Sequence, residues 1–468
     1  MSAGYLYLPM EILVREYDSR LLIALMAAEH GIEVILGQKW LMEHNMAAMP
    51  PGMWIFKTLS KRDAREMSRA KSYGNKVGSI DEEVPAFSEG SGDMLWVSRD
   101  AVDRCDAIFC LGQGHFESFM SKWPDLTSNL IITGNPRWDY LRPELRQFLR
   151  ERANPIREQH GKFILINTNS GNANSNKKSI EEIYNGYVRD GKLDPSSQHF
   201  VDHWNDFMAF EKSNLAAMRP LIQRLCNEFP EHMIIVRPHP AERVDFYQNA
   251  IAGLANARVV FEGPVAPWLE ACELLIHTDC TTGVEAFALG KPIICYETIE
   301  SPLHGWLLSG RLSVRATSED DVIAAAEKLL AGKPAGPLQS EMKRQYDHFI
   351  AAQDGAMAAE RIARAAAEVI ATIPPQDQVQ GAASWAPTWR YMPAARNTRH
   401  RRLVFPKFGV SDVQTKLEHL AAALGRPVPV ATAVGDNMFH ICDSRLRAPR
   451  MPGTAAGRIL GRMISLLS

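Results

Sequence analysis

Between Met233 and Tyr296 the chain passes through apolar runs rich in β-branched residues, at Met233–Val236, Val259–Phe261, Leu274–Ile276 and Pro292–Tyr296, and polar residues follow each one. Continuous apolar runs separated by helical segments predict parallel strands covered on both faces. In open sheets of that kind, ligands gather outside the carboxyl ends of the strands. Arg237, His239, His277, Asp279, Thr281 and Thr282 all fall at those ends.

The same rhythm extends toward the N-terminus. Strands are expected at Gly4–Pro9, Glu33–Leu36, Trp54–Lys57, Lys76–Ile80, Ala107–Leu111 and Asn129–Thr133. A polar loop holds Glu11, Arg15, Glu16 and Asp18, and a helix follows over Arg20–His30 with Gly31 as its stop signal. A charged helical stretch over Leu141–Gln159 leads to a second series starting at Phe163–Asn167. The region 176–212 reads as a polar insertion with a short helix around Phe200–Phe210, and Asn214–Phe229 as a separate helix. Ser318 caps a helix to Ala331, with Asp321 at its third position. Another good helix spans Ser411–Leu424 with Ser411 as its cap. The pattern predicts an α/β protein of two Rossmann-like halves facing a central cleft, residues 1–155 and 156–373, with a basic C-terminal extension, 374–468.

A net charge of −2 over 468 residues argues against a nucleic-acid partner. From Arg390 onward, however, 13 Lys/Arg stand against 4 Asp/Glu. With Trp389, Tyr391 and the closing R-I-L-G-R-M-I-S-L-L, that excess suits an anionic membrane face, or equally a packed tail with solvated arginines. The seven cysteines form no C-x-x-C pair and read as buried free thiols in a reducing compartment. No leader segment and no apolar run long enough to span a membrane is evident, so a cytoplasmic location is expected.

His239 lies between Pro238 and Pro240, which restrict the backbone on either side of it; that suits a group that must contact a ligand, or a turn that merely ends the strand. Arg237 adds a forked donor set suited to phosphate or carboxylate. Thr281-Thr282-Gly283 opens a helix and suits either a phosphate or an ordinary cap. Glu285, one turn in, is placed to accept from two ribose hydroxyls. The loop with Asn169, Ser170 and Gly171 either presents backbone N–H groups to an anion or is simply solvated. Asp81-Glu82-Glu83 ends a first-half strand; Glu82 is the preferred base toward a sugar hydroxyl, Glu16 a competitor, and a solvated charge run the plain alternative. No ligand-spaced metal cluster, Walker A motif or G-x-S-x-G elbow is present.

R-P-H-P-A-E at 237–242 is similar to the His-Pro motif of bacterial sialyltransferases, capsule Kdo-transferases and the polyol-phosphate transferases of teichoic-acid synthesis. H-T-D-C-T-T-G-V-E-A-F-A-L-G-K-P-I-I at 277–294 resembles their second donor motif, with Thr281-Thr282 where the sialyltransferases usually carry serines. T-G-N-P-R-W-D at 133–139 looks like the end of the first domain in GT-B transferases and related nucleotide-sugar epimerases. Asp81-Glu82-Glu83 is similar to the acidic pair of sialyltransferases, with Val84 in place of their glycine. The resemblance covers roughly residues 4–345 and implies a GT-B glycosyltransferase of surface carbohydrate (capsule or lipopolysaccharide) biosynthesis. It implies a nucleotide-sugar donor used as a substrate, cytidine nucleotides favoured, with no cofactor and no metal. The acceptor would be a glycan or glycolipid, which the basic residues of 390–468 would let a cytoplasmic protein meet at the inner face of the cytoplasmic membrane. A nucleotide-sugar 2-epimerase and a non-catalytic assembly protein of the same fold remain the alternatives.

Overall fold

The computed structural model describes residues 3–82, 97–126, 129–189, 193–301, 307–332, 338–374 and 405–446. Glu83, Val84, Trp385, Trp389, Tyr391 and the arginines at 390 and 396–402 lie outside the described residues, as does the closing segment from 447. In chain order the strands are β1 (Gly4–Met10), β2 (Ile32–Gln38), β3 (Gly52–Phe56), β4 (Lys76–Ser79), β5 (Ala107–Cys110), β6 (Leu130–Ile132), β7 (Phe163–Asn167), β8 (Met233–Arg237), β9 (Ala257–Val259), β10 (Leu274–His277), β11 (Ile293–Tyr296), β12 (Val314–Ala316), β13 (Val430–Gly435) and β14 (Met438–Cys442). The chain divides into two compact units, one of Met1–Ile55, Ser68–Val77 and Ala363–Ser468, the other of Phe56–Met67 and Gly78–Ile362.

In the first unit the strand order is β13-β14-β2-β1-β3. β1 is parallel to β2 and β3, and every residue of β1 and β2 is buried, Glu33 and Gln38 of β2 included. The C-terminal extension contributes to this sheet. After the helix Val410–Leu424, β13 and β14 form a hairpin, and β14 pairs antiparallel with β2, covering what would be a bare edge. Lys416–Asp18 at 3.1 Å, Arg426–Glu29 at 2.9 Å and a buried His440–Glu33 contact at 2.7 Å tie it down.

In the second unit β4, β5 and β6 pair parallel in sequence order, and a six-stranded parallel sheet has the order β12-β11-β10-β7-β8-β9. Ile164, Ile166, Ile234, Val236, Leu274 and Ile276 pack there against Leu221, Leu225 and Tyr247 of the crossover helices. Each fully buried aliphatic side chain contributes roughly 1.5–3 kcal/mol. This α/β architecture with parallel sheets agrees with the expected fold class, and all seven cysteines are free and buried.

The expected polar loop at 11–18 is instead the start of a helix, Leu13–Glu29. The carboxylate of buried Glu16 accepts from the backbone N–H groups of Glu11 at 2.9 Å and Ile12 at 3.3 Å, satisfying donors that a helix start leaves open. The expected short helix and its separate neighbour are one helix, Gln198–Glu228, with Pro220 inside it. Its N-terminal part packs Trp204 and Met208 against Ile183 and Leu193, a small core that the polar composition of the insertion concealed. The strand expected at Val259–Phe261 sits earlier, at Ala257–Val259. The C-terminal helix starts at Val410, where Asp412 accepts from the Gly409 N–H at 2.8 Å, so Ser411 is not its cap. The Ser318/Asp321 capping box forms as expected. No helix among the described residues is long and apolar enough to cross a membrane.

Candidate functional site

Sheet order places β7 between β10 and β8, so the loops leaving these three strands are neighbours. Their join is Glu242, which is fully buried. Its Oε1 accepts from Thr168 Oγ1 at 2.8 Å, the Ser170 N–H at 3.0 Å and the His239 N–H at 3.2 Å; its Oε2 accepts from the Tyr247 hydroxyl. The β7 loop and the His-Pro turn are therefore held by one carboxylate. His239 itself is exposed. Its Nδ1 accepts from the Ala241 N–H at 3.2 Å, so in the neutral ring Nε2 carries the proton and is the donor. Gly171 lies opposite: a Cβ there would stand 3.5 Å from His239 Nδ1 and 3.3 Å from the Ala241 Cβ.

The far side of the β7 loop is fastened to the long helix by Glu211. Its carboxylate accepts from the N–H groups of Asn172 at 2.9 Å and Ala173 at 2.8 Å, and burial pushes its pKa up to about 7. Asn169 reaches across to β10, donating from Nδ2 to the Asp279 carbonyl at 3.0 Å, while its N–H meets Thr278 Oγ1 at 3.1 Å.

After β10, His277 and Asp279 sit behind the turn. His277 Nδ1 accepts from the Cys280 N–H at 3.1 Å, and its Nε2 contacts Ser313 Oγ at 2.8 Å. Burial lowers the pKa of this imidazole to about 3, so it is a neutral strut. Asp279, with φ of 53°, accepts from Ser309 Oγ at 2.8 Å and the Gly310 N–H at 3.0 Å. Gly283 packs over His277: an added Cβ would lie 2.7 Å from Nε2, which accounts for glycine there. Thr281 is exposed, and half-buried Thr282 accepts from Asn167 Nδ2 at 3.0 Å. Of the expected site residues in this cluster, His239 and Thr281 face solvent, and Asn169, Gly171 and Thr282 are partly open.

Arg237 points elsewhere. Its guanidinium donates to the carbonyls of Glu262 at 2.7 Å and Gly263 at 3.1 Å over the face of Trp268, and burial lowers its pKa to about 10. Asp81 and Glu82 are both buried at the end of β4 rather than solvated, and the Glu82 N–H donates to the Lys57 carbonyl at 3.0 Å. Sequence reasoning passed over Arg137, in the turn after β6. Its Nη2 donates to Glu285 Oε1 at 3.0 Å, and its Nη1 lies 3.8 Å from Glu82 Oε2, so one guanidinium links two candidate site carboxylates. Glu242 and Glu211 were also missed. Glu242 follows directly on the His-Pro turn; nothing local marks Glu211. Asp139, which closes the same G-N-P-R-W-D run, accepts from the N–H groups of Ala358 and Ala359 at 2.9 Å each and so caps the helix Ala358–Ile370.

Asp279, Cys295 and Glu297 are the described residues that place three possible metal ligand atoms within 4.8 Å of one another. Burial raises the pKa of all three.

These buried groups set a pH dependence. Burial holds Asp139, Glu211 and Glu297 at about 7 and Asp279 at about 8, above the ordinary carboxyl values of 3.8 for Asp and 4.5 for Glu. Between those limits the folded state binds more protons than the unfolded one, so stability falls as pH rises. His115 and His277, pushed down to about 3, act oppositely, lowering stability as pH falls below 6.5. Of these groups only the carboxyls titrate above pH 6.5. The melting temperature is therefore expected to fall steadily from pH 6.5 to about 8.5 in scanning calorimetry; a flat or rising trend would contradict the assignment.

No protein-family model matches the chain, and no curated protein does. Among solved structures it is similar to a Listeria monocytogenes protein provisionally assigned as a UDP-N-acetylglucosamine 2-epimerase, at 12% identity and a TM-score of 0.51, covering 77% of this chain and 95% of that one. A Methanocaldococcus jannaschii UDP-GlcNAc 2-epimerase in complex with UDP-GlcNAc and UDP aligns at 12% identity and a TM-score of 0.46, covering 77% and 98%. The wall teichoic acid polymerase TagF aligns at 13% identity and a TM-score of 0.43, covering 79% and 89%. At 12% identity the Listeria likeness establishes the fold alone. The chain has the GT-B type of α/β fold.

Proposed function

We propose that the chain is a glycosyltransferase that moves a sugar from a nucleotide-activated donor to a glycan or glycolipid acceptor. The observation that carries this reading is the His239 turn, in which an exposed imidazole is oriented by the Ala241 N–H and backed by buried Glu242 beside the β7 loop. A neutral imidazole with its proton on Nε2 suits a donor phosphate: it can hydrogen-bond the bridging oxygen and stabilise the charge that develops there as the sugar leaves. Thr281 and Thr282 would supply hydroxyls to the same phosphate, and Asn169, Ser170 and Gly171 form the loop beside it. Glu285 would accept from the ribose hydroxyls. Glu82 would take the proton from the attacking acceptor hydroxyl, with Asp81 its neighbour. Cytidine donors are favoured by the resemblance of R-P-H-P-A-E at 237–242 to the His-Pro transferases.

One observation favours a second reading, a nucleotide-sugar 2-epimerase. Proton removal and return at a sugar carbon calls for several carboxylates, and Glu82 and Glu285 already flank Arg137 with Asp81 adjacent. Two measurements test the pair. Thermal shift with CMP, CDP, UMP, UDP, GDP and ADP is expected to show stabilisation by at least one pyrimidine nucleotide; no response to any of the six removes the nucleotide reading and favours a non-catalytic assembly role. Incubation with the matching nucleotide sugar alone then separates the enzymes. A transferase leaves the donor intact or hydrolyses it slowly, whereas an epimerase converts it to its 2-epimer.

A further inference from the structure

We infer that Arg137 is a positioning residue for the nucleotide ribose, acting by holding the carboxylate of Glu285 in a fixed orientation. This rests on the nucleotide-sugar reading above and extends it to a residue of the T-G-N-P-R-W-D run that the sequence left without a role.

Arg137 and Glu285 are 148 positions apart, yet Nη2 and Oε1 stand 3.0 Å apart. The Glu285 side chain is only 10% exposed, Glu82 is 3% exposed, and Nη1 of the same guanidinium lies 3.8 Å from it. A carboxylate withdrawn from water loses solvation, and a second one close by adds repulsion; a guanidinium between them offsets both effects. A carboxylate held in one plane presents its oxygens as acceptors to a vicinal diol.

Arg137 is itself held from both ends. Its N–H donates to Asn135 Oδ1 at 3.0 Å, and its guanidinium lies over the Trp138 ring at 5.6 Å from the centroid. Trp138 is buried, so the fork is presented from a fixed base. One oxygen of Glu285 is set by the arginine, and the carboxylate plane with it. Removing the guanidinium leaves a largely buried carboxylate without this partner, and it swings toward solvent. Its grip on the ribose is then lost while contacts to phosphate persist.

The test is the preference for ribose over 2′-deoxyribose, measured by calorimetry with CDP, UDP and their 2′-deoxy counterparts. Wild type is expected to bind the ribonucleotide about tenfold or more tighter, the worth of roughly one hydrogen bond to a charged group. Arg137→Ala is expected to reduce that ratio to under about threefold while still binding the diphosphate, and Arg137→Lys to restore part of it. Glu285→Ala should collapse the ratio by itself, and the double variant should add nothing further, because both act through one contact. A ratio in Arg137→Ala equal to that of wild type overturns the proposal, as do effects that sum in the double variant. If wild type binds nucleotides with no ribose preference, the proposal falls and the nucleotide reading stands. If wild type binds none of them, the nucleotide reading falls and takes the proposal with it.

Discussion

Glu242→Ala is expected to lower the unfolding free energy by about 3–5 kcal/mol, the largest stability loss we anticipate from any polar substitution near the site. The carboxylate is fully buried and takes hydrogen bonds from Thr168 Oγ1, the Ser170 N–H, the His239 N–H and the Tyr247 hydroxyl. Alanine leaves these donors facing a void, and each unsatisfied buried donor costs about 1–3 kcal/mol. Glu242→Gln is the informative companion. Its amide oxygen can occupy the Oε1 position with its three donors, and its NH2 can meet the Tyr247 oxygen, since a phenol accepts as well as donates. The loss for glutamine is therefore expected to stay under about 1.5 kcal/mol. Urea denaturation at constant m-value measures both. An alanine variant within 1 kcal/mol of wild type would show that the two loops do not depend on this residue.

His239→Ala is expected to reduce kcat by about 10²–10⁴ with little change in melting temperature. The side chain is exposed, so its loss leaves no cavity, and its backbone contacts to Glu242 remain. His239→Gln distinguishes two modes of action. A glutamine amide can reach roughly where Nε2 stands and donate a hydrogen bond, but it cannot transfer a proton. Recovery of a tenth or more of wild-type kcat in the glutamine variant would mean that His239 works as a fixed donor to the departing phosphate. A glutamine variant as slow as alanine would mean that it protonates the leaving group. A kcat in His239→Ala within threefold of wild type would remove this residue from the chemistry altogether.

Much of the second sheet was legible in the residue pattern. Parallel strands buried on both faces need uninterrupted apolar runs, and β7, β8, β10 and β11 announce themselves that way. The polar residues following each run then had to lie at strand ends, which is why His239, Thr281 and Thr282 could be placed there without a structure. The misreadings have local causes. Residues 11–18 look like a loop because Glu11, Arg15, Glu16 and Asp18 are polar, but the Glu16 carboxylate is spent on the start of its own helix. Residues 176–212 look irregular because their apolar side chains satisfy one another in a small separate core. His277 and Asp279 carry the residue types of a site, yet every contact described for them braces the turn.

The sequence by itself determined the fold class, the ends of β7, β8, β10 and β11 and the free, buried state of the cysteines, because each follows from hydrophobicity read along a short window. Only the tertiary structure decided that Glu242 joins two loops whose nearest residues are Thr168 and His239, that Arg137 reaches Glu285 across 148 positions, and that β14 closes the edge of β2. Those pairings depend on which strands lie side by side. Strand order is set by the summed packing and crossover geometry of the whole sheet, and no local run of residues encodes it.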